Sequence, residues 1–251
     1  MADQIDYKII GDDMQAVIIG LDPGETVQAE AGAMMFMDNG IEMNTEMQGG
    51  VLGGIKRMVG GESLFIVTFV NTGGKSKRHV AFAAPYPGKI IPLNLAETGP
   101  MICQRDAYLA SAYGIKIDMA FTKRLGAGFF GGEGFILQRL SGEGWAFIHA
   151  GGTVLTRELA QGETIKVDTG CLVALEGSVE YDIQMVGGVK TALFGGEGLF
   201  FATLRGPGKV WLQTLPFSRL ADRVMSAAGF GSKGEVKRGG GGILGQILNG
   251  D

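Results

Sequence analysis

Cysteine, histidine and tryptophan occur only twice each in this chain of 251 residues, and proline seven times. Two cysteines cannot build the disulfide framework of a small secreted domain. Two histidines beside them leave little for a structural zinc site. Positive charge is not in excess: 22 basic against 26 acidic residues give −4 at neutral pH, without the basic footprint of a nucleic-acid binder. Long apolar runs are missing too. The longest stretch free of acidic and basic residues, 144–156, falls short of the ~20 residues that a spanning helix needs. The opening Met1-Ala2-Asp3-Gln4-Ile5-Asp6 has neither the basic nor the apolar segment of a secretory signal. These gaps point to a soluble, cytoplasmic protein, attached to a membrane surface at most. Cys103 and Cys171 read as small core hydrophobes.

What the chain has in plenty is glycine, 44 residues, together with 45% apolar residues and a mean hydropathy of +0.19. That is enough apolar material to bury a core. It also repeats itself. Gly60-Gly61-Glu62-Ser63-Leu64-Phe65 recurs as Gly131-Gly132-Glu133-Gly134-Phe135-Ile136 and as Gly195-Gly196-Glu197-Gly198-Leu199-Phe200. Upstream of each copy lies a second block: Ala33-Met34-Met35-Phe36-Met37, Ala107-Tyr108-Leu109-Ala110-Ser111 and Cys171-Leu172-Val173-Ala174-Leu175. A third, Pro23-Gly24-Glu25-Thr26-Val27, matches Gln161-Gly162-Glu163-Thr164-Ile165. Three blocks in one order indicate three copies of one unit, placed at 1–75, 76–145 and 146–214, with a tail over 215–251.

Within the units, Ile115-Lys116-Ile117-Asp118-Met119 and Val179-Glu180-Tyr181-Asp182-Ile183 alternate with period two, as half-buried strands do. Residues 63–70, β-branched and aromatic, read as a more fully buried strand. Turns are signalled at Asp38-Asn39-Gly40 and Asn71-Thr72-Gly73-Gly74. The expected fold is all-β: three repeated antiparallel β-sandwich-like units in pseudo-threefold arrangement. One short helix is expected after Pro216-Phe217-Ser218, on Leu220, Val224 and Ala228, with Gly229 as its cap.

The Gly-Gly-Glu blocks, Leu215-Pro216-Phe217-Ser218-Arg219-Leu220-Ala221 and the terminal glycine run followed by Ile243-Leu244-Gly245 resemble a widespread prokaryotic family related to the mitochondrial "altered inheritance of mitochondria" biogenesis protein. The resemblance covers nearly the whole chain. It implies a fold like that of the tryptophan RNA-binding attenuation protein and, for the mitochondrial relative, a role in inner-membrane organisation. It carries over no catalytic residue, and a shared fold does not carry over RNA or tryptophan binding.

Catalytic and cofactor motifs are weak. Gly126-Ala127-Gly128-Phe129-Phe130-Gly131 fits a dinucleotide fingerprint but precedes a strand-like repeat instead of a helix. Gly73-Gly74-Lys75-Ser76 ends like a phosphate loop, but Phe69 stands where the first glycine belongs. There is no G-x-S-x-G elbow. His149 shares a face with Phe147 and Trp145 by alternation and reads as a buried, hydrogen-bonded histidine, with a ligand or proton-shuttling role as the alternative. The sequence therefore offers no catalytic, cofactor-binding or metal-ligating residue.

Two speculative sites remain. Glu62, Glu133 and Glu197 would form a ligand or cation ring if three units converged on an axis; the plainer reading has each glutamate accepting N–H bonds from its own glycine turn. Ile243, Leu244, Ile247 and Leu248, tethered by the glycines at 239–242, form a docking tail. The glycine-rich loops around 51–55, 125–130 and 191–194, beside Lys56, Arg57, Lys123, Arg124 and Lys190, suit close internal packing better than a membrane surface. The expectation is a non-enzymatic scaffold or interaction protein, a homo-oligomer without cofactor or nucleic acid, linked to membrane organisation through its resemblance. The runner-up is a small-ligand-binding protein with a pocket between repeats.

Overall fold

The computed structural model describes residues 5–45, 66–123, 135–185 and 200–229. They form antiparallel strands that fall into three successive circuits. The first comprises β2 (Ala16–Leu21), β3 (Thr26–Glu30), β4 (Met34–Met37), β5 (Ile41–Asn44), β6 (Ile66–Asn71) and β7 (Arg78–Ala83), preceded by β1 (Asp6–Ile10). The second comprises β8 (Gly88–Asn94), β9 (Met101–Gln104), β10 (Tyr108–Ala112), β11 (Lys116–Lys123), β12 (Phe135–Ser141) and β13 (Trp145–Gly151). The third comprises β14 (Val154–Leu159), β15 (Thr164–Asp168), β16 (Leu172–Glu176), β17 (Glu180–Met185), β18 (Phe200–Arg205) and β19 (Gly208–Gln213).

Each circuit has one strand order. Its sixth strand lies between the first and third, and its fifth lies between the second and fourth: β2-β7-β4 with β3-β6-β5, then β8-β13-β10 with β9-β12-β11, then β14-β19-β16 with β15-β18-β17. Grouped by pairing, the circuits close with β7 and β13, so the boundary at 75 falls before β7 and that at 145 falls at the first residue of β13. The third strand of every circuit carries a bulge at the same place, at Met35, Leu109 and Val173, where the register on the sixth strand shifts.

Alternation explains the burial. On β6, Val67, Phe69 and Asn71 are buried while Ile66, Thr68 and Val70 are half-exposed. This strand therefore has one fully buried face and one partly exposed face, and is not buried on both as expected. Val179, Tyr181 and Ile183 turn inward and Glu180 and Asp182 outward, as the period-two pattern requires. Phe69 on β6 meets Phe82 on β7 edge-on at 5.2 Å, joining the two sheets of the first circuit. Each such buried ring contributes roughly 1.5–3 kcal/mol. At the Asp38-Asn39-Gly40 turn, Gly40 has φ +97°, and a Cβ there would stand 2.7 Å from the Gly73 Cα. Only glycine fits both requirements.

The Glu25 and Glu163 turns show repeated chemistry at atomic level. Glu25 accepts the Asp22 N–H at 2.7 Å, and Glu163 accepts the Ala160 N–H at 2.9 Å. Gly24 and Gly162, one residue earlier, both have positive φ.

The helix Phe217–Ala227 lies where expected, with none of its residues buried. Gly229, at φ +79°, donates to the Ser226 carbonyl at 3.2 Å and closes it. The described residues 218–229 belong to a unit separate from the one that ends at Phe217. Among the described residues no helix is long and apolar enough to cross a membrane.

Candidate interaction site

The circuits are sewn together by their second and third strands. β3 of the first pairs β10 of the second, through Ala29↔Ala110, Gln28↔Ser111 and Val27↔Ala112. β9 of the second pairs β16 of the third, through Cys103↔Ala174, Ile102↔Leu175 and Met101↔Glu176. Each joint creates a six-stranded sheet spanning two circuits. Counted from the bulges, the two joints have the same register.

Their middle pairs differ in chemistry. In the first joint, buried Gln28 donates to Ser111 Oγ at 3.0 Å and to the Ile115 carbonyl at 2.8 Å, and the Tyr108 hydroxyl lies 3.0 Å from Ser111 Oγ and donates to the Gln28 carbonyl at 3.2 Å. In the second joint the corresponding residues, Ile102 and Leu175, belong to one apolar cluster. A buried amide needs its partners, so Gln28 fits Ser111 and not Leu175.

Two strands of the same two types remain. β4, the third strand of the first circuit, ends its sheet on the side away from β7, and β15, the second strand of the third circuit, ends its own. β4 consists of Met34, Met35, Phe36 and Met37, which are 37%, 59%, 40% and 38% exposed. The residues in the same places on β10 and β16 are at most 2% exposed. An unpaired edge with four consecutive large apolar side chains is a template for another strand. Methionine suits such a surface because its unbranched chain adapts to what it meets. In the sequence this block stands out only as one of three repeated blocks. The signal that distinguishes it was present, since its counterparts mix in alanine and serine.

A second feature is a group of shifted acids and bases at the seam between the first two circuits. Glu30 ends β3; Arg105 and Asp106 lie in the 3-10 turn Arg105–Ala107. Burial, and then the nearby Asp106 carboxylate, push the Glu30 carboxyl up to about 7, against the pull of Arg105. Burial, with Asp106 and Glu30, pushes Tyr86 up to about 12. The Tyr86 ring stands edge-on to His149 at 4.5 Å and also meets Phe217. His149 is buried as expected, but neither ring nitrogen has a hydrogen-bond partner. Burial lowers it to about 4, with the Tyr86 backbone opposing the fall. It is thus a neutral, apolar-packed ring at pH 7. Cys103 is wholly buried and its thiol is pushed up to about 12 by burial, whereas Cys171 is half-buried; neither forms a disulfide.

Glu62, Glu133 and Glu197 lie outside the described residues, as do Ile243, Leu244, Ile247, Leu248 and the glycine-rich loops named with them. Among the described residues no group of three His, Cys, Asp or Glu is placed to hold a metal. A recess between the second and third circuits, about 320 Å3, is lined by Glu97, Pro100, Arg139, Glu176 and Gly177. Its lining is polar and open, whereas small-molecule sites are mostly apolar and enclosed. Glu176 is also engaged there, accepting the Lys209 N–H at 2.9 Å.

Residues 7–215 match the family described as Mitochondrial biogenesis AIM24. An uncharacterized protein of Streptococcus pyogenes serotype M6 is 29% identical over 214 residues, covering 82% of this chain and 83% of its own. The crystal structure of a protein from Streptococcus pyogenes superposes with a TM-score of 0.75 at 25% identity, over 90% of this chain and 100% of that one.

Proposed function

We propose, on the premise that the chain belongs to the mitochondrial biogenesis AIM24 family, that it works as a non-enzymatic interaction scaffold which engages protein through the β4 edge. One observation carries this reading: Met34–Met37 are exposed on an open sheet edge whose two counterparts in the chain are fully covered by a neighbouring strand. Strand addition to such an edge supplies main-chain hydrogen bonds for affinity and side-chain contacts for specificity. The apolar surface at stake is large for so short a segment, since each fully buried methionine or phenylalanine contributes roughly 1.5–3 kcal/mol. A role in membrane organisation fits a scaffold of this kind, with the membrane reached through a protein partner.

Hydrogen exchange tests the reading at the site itself. In dilute purified protein the amides of Met34–Met37 should exchange faster than those of β10 and β16. They should become protected at high protein concentration or in cell extract. Fast exchange of β4 under all three conditions would remove the reading.

A further inference from the structure

We infer that the occupant of the β4 edge is β15 of a second copy of this chain, so that copies join head to tail by the same joint that links the circuits inside each one. The inference rests on the docking reading above and adds the partner and the register.

The argument is topological first. Only second and third strands are used as joints, and each circuit has one of each. β3 and β9 are spent on β10 and β16, which leaves β15 as the second strand with a free edge and β4 as the matching third strand. Among the described residues the two do not pair, which leaves a third joint of this kind open to a second copy.

The register follows from the pairings already formed. Ala29, Cys103 and Val167 hold the same place, because they pair with Val67, Gln138 and Ala202 on the fifth strands. Phe36, Ala110 and Ala174 hold the same place, one residue after each bulge. The intermolecular joint is therefore Phe36↔Val167, Met37↔Lys166 and Asp38↔Ile165. The middle pair again sets the specificity. Lys166 is exposed, and its aliphatic stem can cover Met37 while its ammonium reaches water. Gln28 or Ile102 would not serve that place, and both are engaged elsewhere. Because head and tail are different surfaces, the contact is heterologous and builds a ring, or a filament if the turn per copy does not close.

Native mass and sedimentation read the outcome on the full chain. The wild type should appear as multiples of 26.4 kDa. Met37→Lys sets like charges opposite each other, which destabilises a cross-strand pair, and should weaken association at least tenfold while the monomer keeps its melting temperature. Adding Lys166→Glu to that variant should restore the assembly. A Phe36→Cys protein mixed with a Val167→Cys protein, each with Cys171→Ser, should form a disulfide-linked heterodimer that neither forms alone. A wild type that stays monomeric up to about 100 μM would overturn the inference, and so would an intramolecular disulfide in the doubly substituted chain. Dissociation by Met37→Lys without rescue or cross-link would overturn β15 as the partner and leave β4 as a docking edge. Slow exchange in extract but not in concentrated pure protein would do the same.

Discussion

β4 and β10 occupy one place in the fold and have opposite environments. Both are third strands, both carry a bulge, and both pair a sixth strand in the same register. Leu109 on β10 is 2% exposed, whereas Met35 on β4 is 59% exposed. The neighbour differs: β3 covers β10, and among the described residues no strand covers the outer edge of β4. Burial here is thus a property of the joint more than of the strand, and a repeat unit cannot be judged stable by its own sequence.

The comparison can be broken most severely at its buried end. Leu109→Asp would place a carboxylate in the core and should cost more than about 4 kcal/mol, enough to lose the cooperative transition in denaturant. Met35→Asp, the same change at the same place in the first circuit, should shift the unfolding free energy of the monomer by no more than about 0.5 kcal/mol. Equal losses at both sites would show that β4 is covered in the monomer.

The first joint can be tested through its amide. Gln28→Leu leaves Ser111 and the Ile115 carbonyl without their donor and should cost on the order of 1–3 kcal/mol. Combining it with Ser111→Leu, which copies the apolar second joint, should recover part of the loss, read as a positive coupling in a double-mutant cycle.

An effect of similar size, but confined to high pH, concerns the acid at the end of β3. Its pKa in the folded state is raised to about 7 from the ordinary 4.5. The folded state therefore holds this proton more tightly than the unfolded chain does. Its contribution to stability is complete below pH 4.5 and is lost as pH rises through 7. Glu30→Gln removes that loss, so the variant should gain up to about 3 kcal/mol over wild type at pH 8.5 and nothing at pH 4. His149, depressed to about 4, has the opposite slope: its contribution is complete above 6.5 and is lost as pH falls through 4. Urea titrations at pH 4, 6.5 and 8.5 would separate the two.

Much of the fold was legible because it repeats. Alternation at 179–183, the glycine turn at 38–40 and the helix after Pro216 follow from spacing and residue type alone, and the structure has them in place. The matched Glu25 and Glu163 turns also followed from their shared block. The joints did not. Which second strand meets which third depends on pairings between residues more than 70 positions apart, and Gln28 gives no local sign of its partner Ser111, 83 residues on. The same holds for His149: alternation placed its ring inside, but only the packing of Tyr86 around it shows that its nitrogens go without partners. Exposure of β4 left only a comparative sign, methionine and phenylalanine where its counterparts have alanine and serine. An apolar strand reads as buried until the covering strand is found to be missing.

The Gln28–Ser111–Tyr108 network has a consequence in time. Two joints with one register invite error as the chain is made: β3 can meet β10, but in backbone terms it could equally meet β16 or the β10 of a neighbouring nascent chain. Pairings this distant in sequence form slowly, and slow multi-unit chains fail by swapping equivalent elements. A mispaired β3 on β16 would seal an amide against Leu175, with no donor site filled, and would come apart again. The network thus sorts encounters during synthesis. It gives the first joint to the right strand and leaves β4, the edge with no such filter, as the place where an aggregating chain would be caught first.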